Sequence, residues 1–237
     1  MEIKAILFDK DGTLMDHDSF WIDVSVHAAK GLLSDLGRED IPVSEILEII
    51  GVHGDVADKD GILCKGTYGQ IGAAVRSVLC AHGVRISVDE AVRLTVEAYE
   101  NSAGKGEVIP ICENLREVLE NLKNRGIKLA VVTVDTPAIT HACLEKLGIE
   151  DLFVKIYADD GKMTPKPDPA CALDFSSQFG IPPENMLMVG DTMTDINFAK
   201  NSGIFSVGVG GNDEVSRAAS AAISDISQIH ELIEELS

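Results

Sequence analysis

The feature that most constrains this chain is a repeated pairing of a short, almost wholly apolar run with a segment of helical periodicity. Such runs occur at residues 3–8, 128–133, 153–157, 186–189 and 205–209, and a last short one precedes an acidic C-terminal helix. Strands separated by helices of about 10–15 residues read as β-α-β units, which build a parallel sheet with helices on its faces. In such a sheet ligands gather beyond the carboxyl ends of the strands, so the polar residues that follow each run are where chemistry is expected.

Between the first and second runs the pattern changes. Helical periodicity covers residues 19–36, 43–50, 68–82 and 88–101, with no strand among them. An all-helical insert is therefore expected at 16–108, set into an α/β core formed by 1–15 and 109–237. The 237 residues suffice for both, because surface scaling predicts a folded surface of roughly 10,000 Å² and burial of about 70% of the unfolded surface.

Charge narrows the partners. Against 39 acidic residues stand 20 Lys and Arg, a net charge of −19, which opposes the phosphate neutralisation that nucleic-acid binding needs. No basic amphipathic stretch suggests a membrane surface, and no apolar run approaches the ~20 residues of a membrane span. The N-terminus lacks the basic-then-apolar pattern of a secretory signal, so a cytoplasmic location is expected. Cys64, Cys80, Cys112, Cys143 and Cys171 are widely spaced without Cys-x-x-Cys, and they read as buried or half-buried free thiols rather than a disulfide or zinc framework.

Four polar clusters follow strand-like runs. Asp9 and Asp11 come two residues apart after the first, so both carboxylates face one side if the extended geometry persists, and Gly12 then lets the backbone turn. Paired carboxylates can divide the work of nucleophile or metal ligand and general acid/base, although an isolated Asp-Gly pair is equally a solvated turn. Thr133 ends a second run, where its hydroxyl could hold a phosphate oxygen or merely cap a turn. Lys166 lies on a loop stiffened by Pro165, Pro167 and Pro169. The run at 186–189 leads straight into Gly190 and Asp191, with Asp195 expected in the first turn of the next helix. Asp9, Asp191 and Asp195 make an all-oxygen set suited to Mg²⁺.

Together these clusters resemble the haloacid dehalogenase superfamily over essentially the whole chain. Asp9-Lys-Asp11-Gly-Thr13, extended by Leu14 and Asp16, is similar to its first motif and Thr133 to its second. Lys166 in Lys-Pro-Asp-Pro resembles the third, and Gly190-Asp191-Thr-x-x-Asp195 the fourth. The resemblance implies a Rossmann-like parallel sheet with helices on both faces, plus a small all-α cap, which is the role it gives residues 16–108. It also implies a Mg²⁺-dependent phosphatase of a small phosphorylated metabolite, similar to phosphoglycolate phosphatases. A mutase resembling β-phosphoglucomutase is the alternative, and a non-catalytic binding protein on the same fold is another.

By that resemblance Asp9 is the nucleophile, Asp11 the acid/base, and Thr133 and Lys166 hold the phosphoryl oxygens. The metal would be bound by Asp9, the Asp11 backbone carbonyl and Asp191, with Asp195 assisting directly or through water. A carboxylate at Asp11 points to phosphoester chemistry, since haloacid-cleaving members have Tyr there and cation-pumping ATPases Lys. Lys10 departs from the apolar residue of many relatives; alternation directs it away from the phosphate, and little effect is expected. In the cap, His53, Lys65 and Tyr68 are candidate substrate contacts, with an exposed loop as the plainer reading of each, and His17 near the first motif is a further candidate. The sequence leaves the oligomeric state open.

Overall fold

The computed structural model describes residues 2–58 and 61–236, with Lys65 described by its backbone alone. The chain divides into two compact units, Met1–Asp16 with Val108–Ser237, and His17–Glu107. Its accessible surface is 10,862 Å², close to the value the mass predicts.

The first unit opens with β1 (Ala5–Phe8). The second unit follows, with α1 (His17–Asp35), α2 (Val43–Ile49), β2 (Val52–His53), β3 (Val56–Ala57), α3 (Ile62–Lys65), α4 (Tyr68–Ala81) and α5 (Val88–Ser102). The chain then returns to the first unit through α6 (Leu115–Asn124), β4 (Lys128–Val132), α7 (Pro137–Leu147), β5 (Lys155–Tyr157) and α8 (Ala170–Phe179). It ends with β6 (Met186–Gly190), α9 (Met193–Ser202), β7 (Phe205–Val209), α10 (Asp213–Ala218), β8 (Ala221–Ile223) and α11 (Ile229–Leu236).

The six long-range strands form one parallel sheet in the order β5-β4-β1-β6-β7-β8. From β1 the chain builds outward through β4 to β5, then crosses back to lay β6 on the other side of β1. That reversal puts the topological switch point at β1, where an open α/β sheet forms its ligand crevice. Period-two alternation divides the strands between two apolar layers. Ile6, Phe8, Leu129, Val131, Leu187 and Val189 pack with α6 residues such as Leu119 and Leu122 on one face. Ala5, Leu7, Ala130, Val132, Met186 and Met188 pack with Phe175 and Phe198 on the other. The strands are buried on both sides, which is why their sequences read as unbroken apolar runs.

The helical unit has its own core. Side-chain caps start two of its helices: Thr67 exchanges hydrogen bonds with Gln70 in a capping box at the head of α4, and the Ser87 hydroxyl accepts from the Glu90 amide at the head of α5. Trp21 packs against Phe20 and Tyr99, and the Tyr99 hydroxyl shares a 2.9 Å hydrogen bond with Ser25. The unit departs from the all-helical expectation at β2 and β3, which pair antiparallel through Val52 with Ala57 and His53 with Val56. Strands of two residues are too short to show a period, so only Gly54 in the turn marks them in sequence. The cysteines depart in one place: Cys80 is exposed, while the other four are buried or half-buried free thiols. Among the described residues no helix is long and apolar enough to cross a membrane.

Candidate active site

The polar clusters converge because their strands are neighbours. Asp9 follows β1, Thr133 follows β4 and Asp191 follows β6, three adjacent interior strands. The Asp9 amide extends the ladder by donating to Val189 O at 2.9 Å, and the Thr133 amide donates to Tyr157 O at 2.9 Å. Asp9 and Thr133 are thus carried on backbone that the sheet itself holds, and Asp191 comes directly after the last paired residue of β6, Gly190.

Lys166, from the loop before α8, is the centre of the cluster. Its ammonium donates to Asp9 Oδ1 at 2.6 Å and to Asp195 Oδ1 at 2.6 Å, and all three side chains are nearly enclosed. An ammonium carries three donors, so among the described residues one remains for a further acceptor such as a phosphoryl oxygen. Asp195 is completely buried. Its Oδ2 accepts from the Thr192 amide and hydroxyl at 3.1 and 2.6 Å, which closes the capping box of α9. One carboxylate therefore both starts the helix, whose N-cap is Thr192, and holds Lys166.

Glycines make room for the carboxylates. Gly12 has φ +72°, a left-handed conformation, and a Cβ there would overlap the Asp191 carboxylate. A Cβ on Gly190 would likewise collide with the Asp195 side chain. The loop after Asp9 is wound tightly, with Lys10 O accepting from the Leu14 and Met15 amides at 2.8 and 3.2 Å.

The donor set fits a hard divalent cation. One carboxylate oxygen from each of Asp9, Asp191 and Asp195 lies within 4.8 Å of the others, and Mg²⁺ favours oxygen ligands supplied by few carboxylates. The electrostatics agree. Burial pushes Asp9 up to about 7, against the pull of Lys166 and with help from Asp195 and Asp11. Burial, Asp9 and Asp195 push Asp191 up to about 8. Lys166 alone does not neutralise this group of carboxylates, and a divalent cation would.

Thr133 is buried, and its hydroxyl oxygen accepts from the Asp135 amide at 3.2 Å, leaving its proton to donate elsewhere. A cavity of about 220 Å³ opens between Thr133, Tyr157, Asp159, Lys162 and Lys166. Asp11 is half-buried and is held by its own sequence neighbour, which alternation directs elsewhere. Lys10 does not turn away to an inert position: it is wholly buried, and its ammonium donates to Asp11 Oδ1 at 2.7 Å and pairs with Asp135 Oδ2 at 3.0 Å. Burial acts to lower the Lys10 pKa, but the two carboxylates outweigh it and hold the group above the ordinary lysine value. Burial and the adjacent Asp11 push Asp135 up to about 7, opposed by Lys10. Asp135 was not singled out in the sequence; the only signal for it is an Asp in a turn two residues past Thr133.

The remaining candidates lie in the helical unit. His53 sits exposed on β2. Tyr68 is half-buried at the start of α4, with its ring edge-on to Tyr99 at 5.9 Å, which ties it to the aromatic core. The side chain of Lys65 lies outside the described residues. His17 opens α1 and shares a 2.9 Å hydrogen bond with Asp18.

Comparison with known proteins agrees with this architecture. A sequence model of the family described as haloacid dehalogenase-like hydrolase matches residues 3–203. The phosphoglycolate phosphatase of Neisseria meningitidis serogroup A is 30% identical over 210 residues, covering 87% of this chain and 80% of its own. The crystal structure of a predicted phosphoglycolate phosphatase from Haemophilus somnus superposes with TM-score 0.70 at 24% identity, over 98% of both chains. A protein from Thermotoga maritima, solved as a candidate β-phosphoglucomutase, superposes with TM-score 0.68 at 21% identity, over 99% of this chain and 100% of that one.

Proposed function

Since this chain belongs to the haloacid dehalogenase-like hydrolases, we propose that it is a phosphatase that removes the phosphoryl group from a small phosphorylated metabolite, of the phosphoglycolate or sugar-phosphate kind. The observation that carries this reading is the group at the switch point: Asp9 and Asp195 joined by the Lys166 ammonium, with Asp191 alongside. A buried nucleophilic carboxylate, a cation with a spare donor and a carboxyl two residues on suit in-line attack on a phosphate monoester.

In this reading an Asp9 carboxylate oxygen attacks phosphorus and the ester P–O bond breaks, with its electron pair leaving on the alcohol oxygen. Asp11 gives that oxygen a proton. A water then attacks phosphorus, Asp11 takes a proton from it, and the acyl phosphate P–O bond breaks to restore Asp9 and release phosphate. Lys166 and the Thr133 hydroxyl hold the phosphoryl oxygens, which offsets charge as it develops. Asp9, the Asp11 carbonyl and Asp191 would hold Mg²⁺, with Asp195 assisting directly or through water. Its charge would let two anions, the carboxylate and the phosphate, approach each other.

The helical unit, residues 17–107, is assigned the part of a substrate-selecting cap, with His53, Lys65 and Tyr68 as its candidate contacts. Structural likeness to a candidate β-phosphoglucomutase supports a second reading, in which the phosphoryl group on Asp9 returns to sugar. A screen of phosphoglycolate, hexose phosphates and nucleotides with Mg²⁺ separates the two. Free phosphate in step with substrate loss is expected; isomerised hexose phosphate with little free phosphate would replace the phosphatase by the mutase.

A further inference from the structure

The buried ammonium beneath Asp11 has no part in the reaction just described, and it is costly to place. Lys10 is 0% exposed. A lysine is almost never fully buried unless paired, and removing one partner of a buried pair leaves an uncompensated charge. Its surroundings are built for it: Asp11 Oδ1 at 2.7 Å, Asp135 Oδ2 at 3.0 Å, Met15 Sδ at 3.7 Å and Cys143 Sγ at 3.9 Å. These groups come from the loop after β1, the turn after β4 and the middle of α7. Lys10 thus joins Asp11 to a separate part of the sheet edge, through Asp135. The Asp135 amide also donates to the Thr133 hydroxyl at 3.2 Å, so the clamp extends to the proposed phosphoryl-binding group.

The geometry points to Lys10 as a positioning residue, whose ammonium, braced by Asp135, anchors the Asp11 carboxylate in place for proton transfer to the leaving group. This rests on the phosphatase reading for its chemistry, but the anchoring itself is a matter of side-chain position. Proton transfer is sensitive to placement: general acid–base catalysis contributes about 10²–10⁴-fold, and a shift near 1 Å can cost about 100-fold.

The discriminating readout is the leaving group. Expulsion of p-nitrophenolate needs little protonation, whereas an alkyl alkoxide needs it strongly, so loss of Asp11 placement falls on the alkyl ester. Lys10→Met should lower kcat/KM for phosphoglycolate about 100-fold and for p-nitrophenyl phosphate less than about tenfold. Because that variant leaves the buried Asp135 carboxylate without its cation beside the half-buried Asp11, the double variant Lys10→Met/Asp135→Asn, which keeps the net charge of the pocket, is the companion. It should melt close to the wild type yet retain the selective loss. An equal fall for both esters would overturn the proposal, as would recovery of phosphoglycolate turnover in the double variant, since Lys10 would then only neutralise Asp135. Crystal structures of the wild type and the double variant read the Asp11 position without reference to turnover. A displaced carboxylate is expected, and an unchanged one overturns the anchor even if the wild type cleaves neither ester; the phosphatase reading itself stands or falls separately, on the wider screen of phosphoglycolate, hexose phosphates and nucleotides.

Discussion

Replacing Lys166 by Met tests the electrostatic account of the site through stability alone. The substitution keeps an unbranched side chain but removes the ammonium that lies 2.6 Å from both Asp9 and Asp195, whose side chains are 11% and 0% exposed. Breaking a buried ion pair by deleting one partner costs roughly 3–5 kcal/mol, because the other charge remains buried. The cost must also depend on pH. Asp9 is already pushed up to about 7, mainly by burial and despite Lys166, so without the lysine it is pushed higher. A buried acid whose folded pKa is raised contributes stability at low pH that is lost as pH rises through the folded value. In urea unfolding with EDTA present, the penalty for Lys166→Met should be roughly 3–5 kcal/mol at pH 8. At pH 5, where Asp9 is protonated with or without the lysine, it should be smaller by up to about 1.4 kcal/mol, the equivalent of the one pH unit between the wild-type Asp9 value of about 7 and pH 8. A penalty below about 1 kcal/mol at pH 8, or the same penalty at both pH values, would refute the reasoning.

Three further outcomes follow from the same geometry. Gly12→Ala should cost about 1–2 kcal/mol for a left-handed residue with a Cβ and weaken Mg²⁺ binding about 10–100-fold by displacing Asp191, measurable by denaturation and calorimetric titration; unchanged metal affinity would contradict the contact. Because Asp9 and Asp191 lie near 7 and 8 in the metal-free protein and ligate only when ionised, Mg²⁺ affinity should rise between pH 6 and 8 by about tenfold per pH unit for each proton displaced. A flat profile would mean the carboxylates are already ionised. Asp11→Asn should slow turnover about 10²–10⁴-fold while leaving Mg²⁺ affinity within about threefold. Asp191→Asn should lose the metal, and comparable loss in both variants would contradict the use of the Asp11 backbone carbonyl.

How far the sequence could be read depended on the range of the interactions involved. The sheet was legible because strands buried on both faces leave unbroken apolar runs, and the run at 205–209 coincides with β7. Convergence of Asp9, Lys166 and Asp191 followed from motifs at strand ends. Two-residue strands such as β2 and β3 were not legible, since they carry no period. Lys10 departs from the expectation for a different reason. Alternation along a strand predicts direction only while the strand lasts, and β1 ends at Phe8, so the wound loop carries the ammonium under Asp11 instead of away from the site. Asp135 becomes its partner only through the β1–β4 pairing, a long-range contact that a single chain does not display. Asp195 was singled out as a metal aid, whereas its first visible duty is to cap α9 and hold Lys166.

Phosphate release from p-nitrophenyl phosphate tests the central claim most directly, measured with Mg²⁺ and with EDTA for the wild type and Asp9→Asn in parallel. The account predicts release that requires the metal and disappears in Asp9→Asn, because that variant lacks the attacking carboxylate. Metal-dependent release that survives in Asp9→Asn would contradict Asp9 as the nucleophile and, with it, the mechanism built on this site.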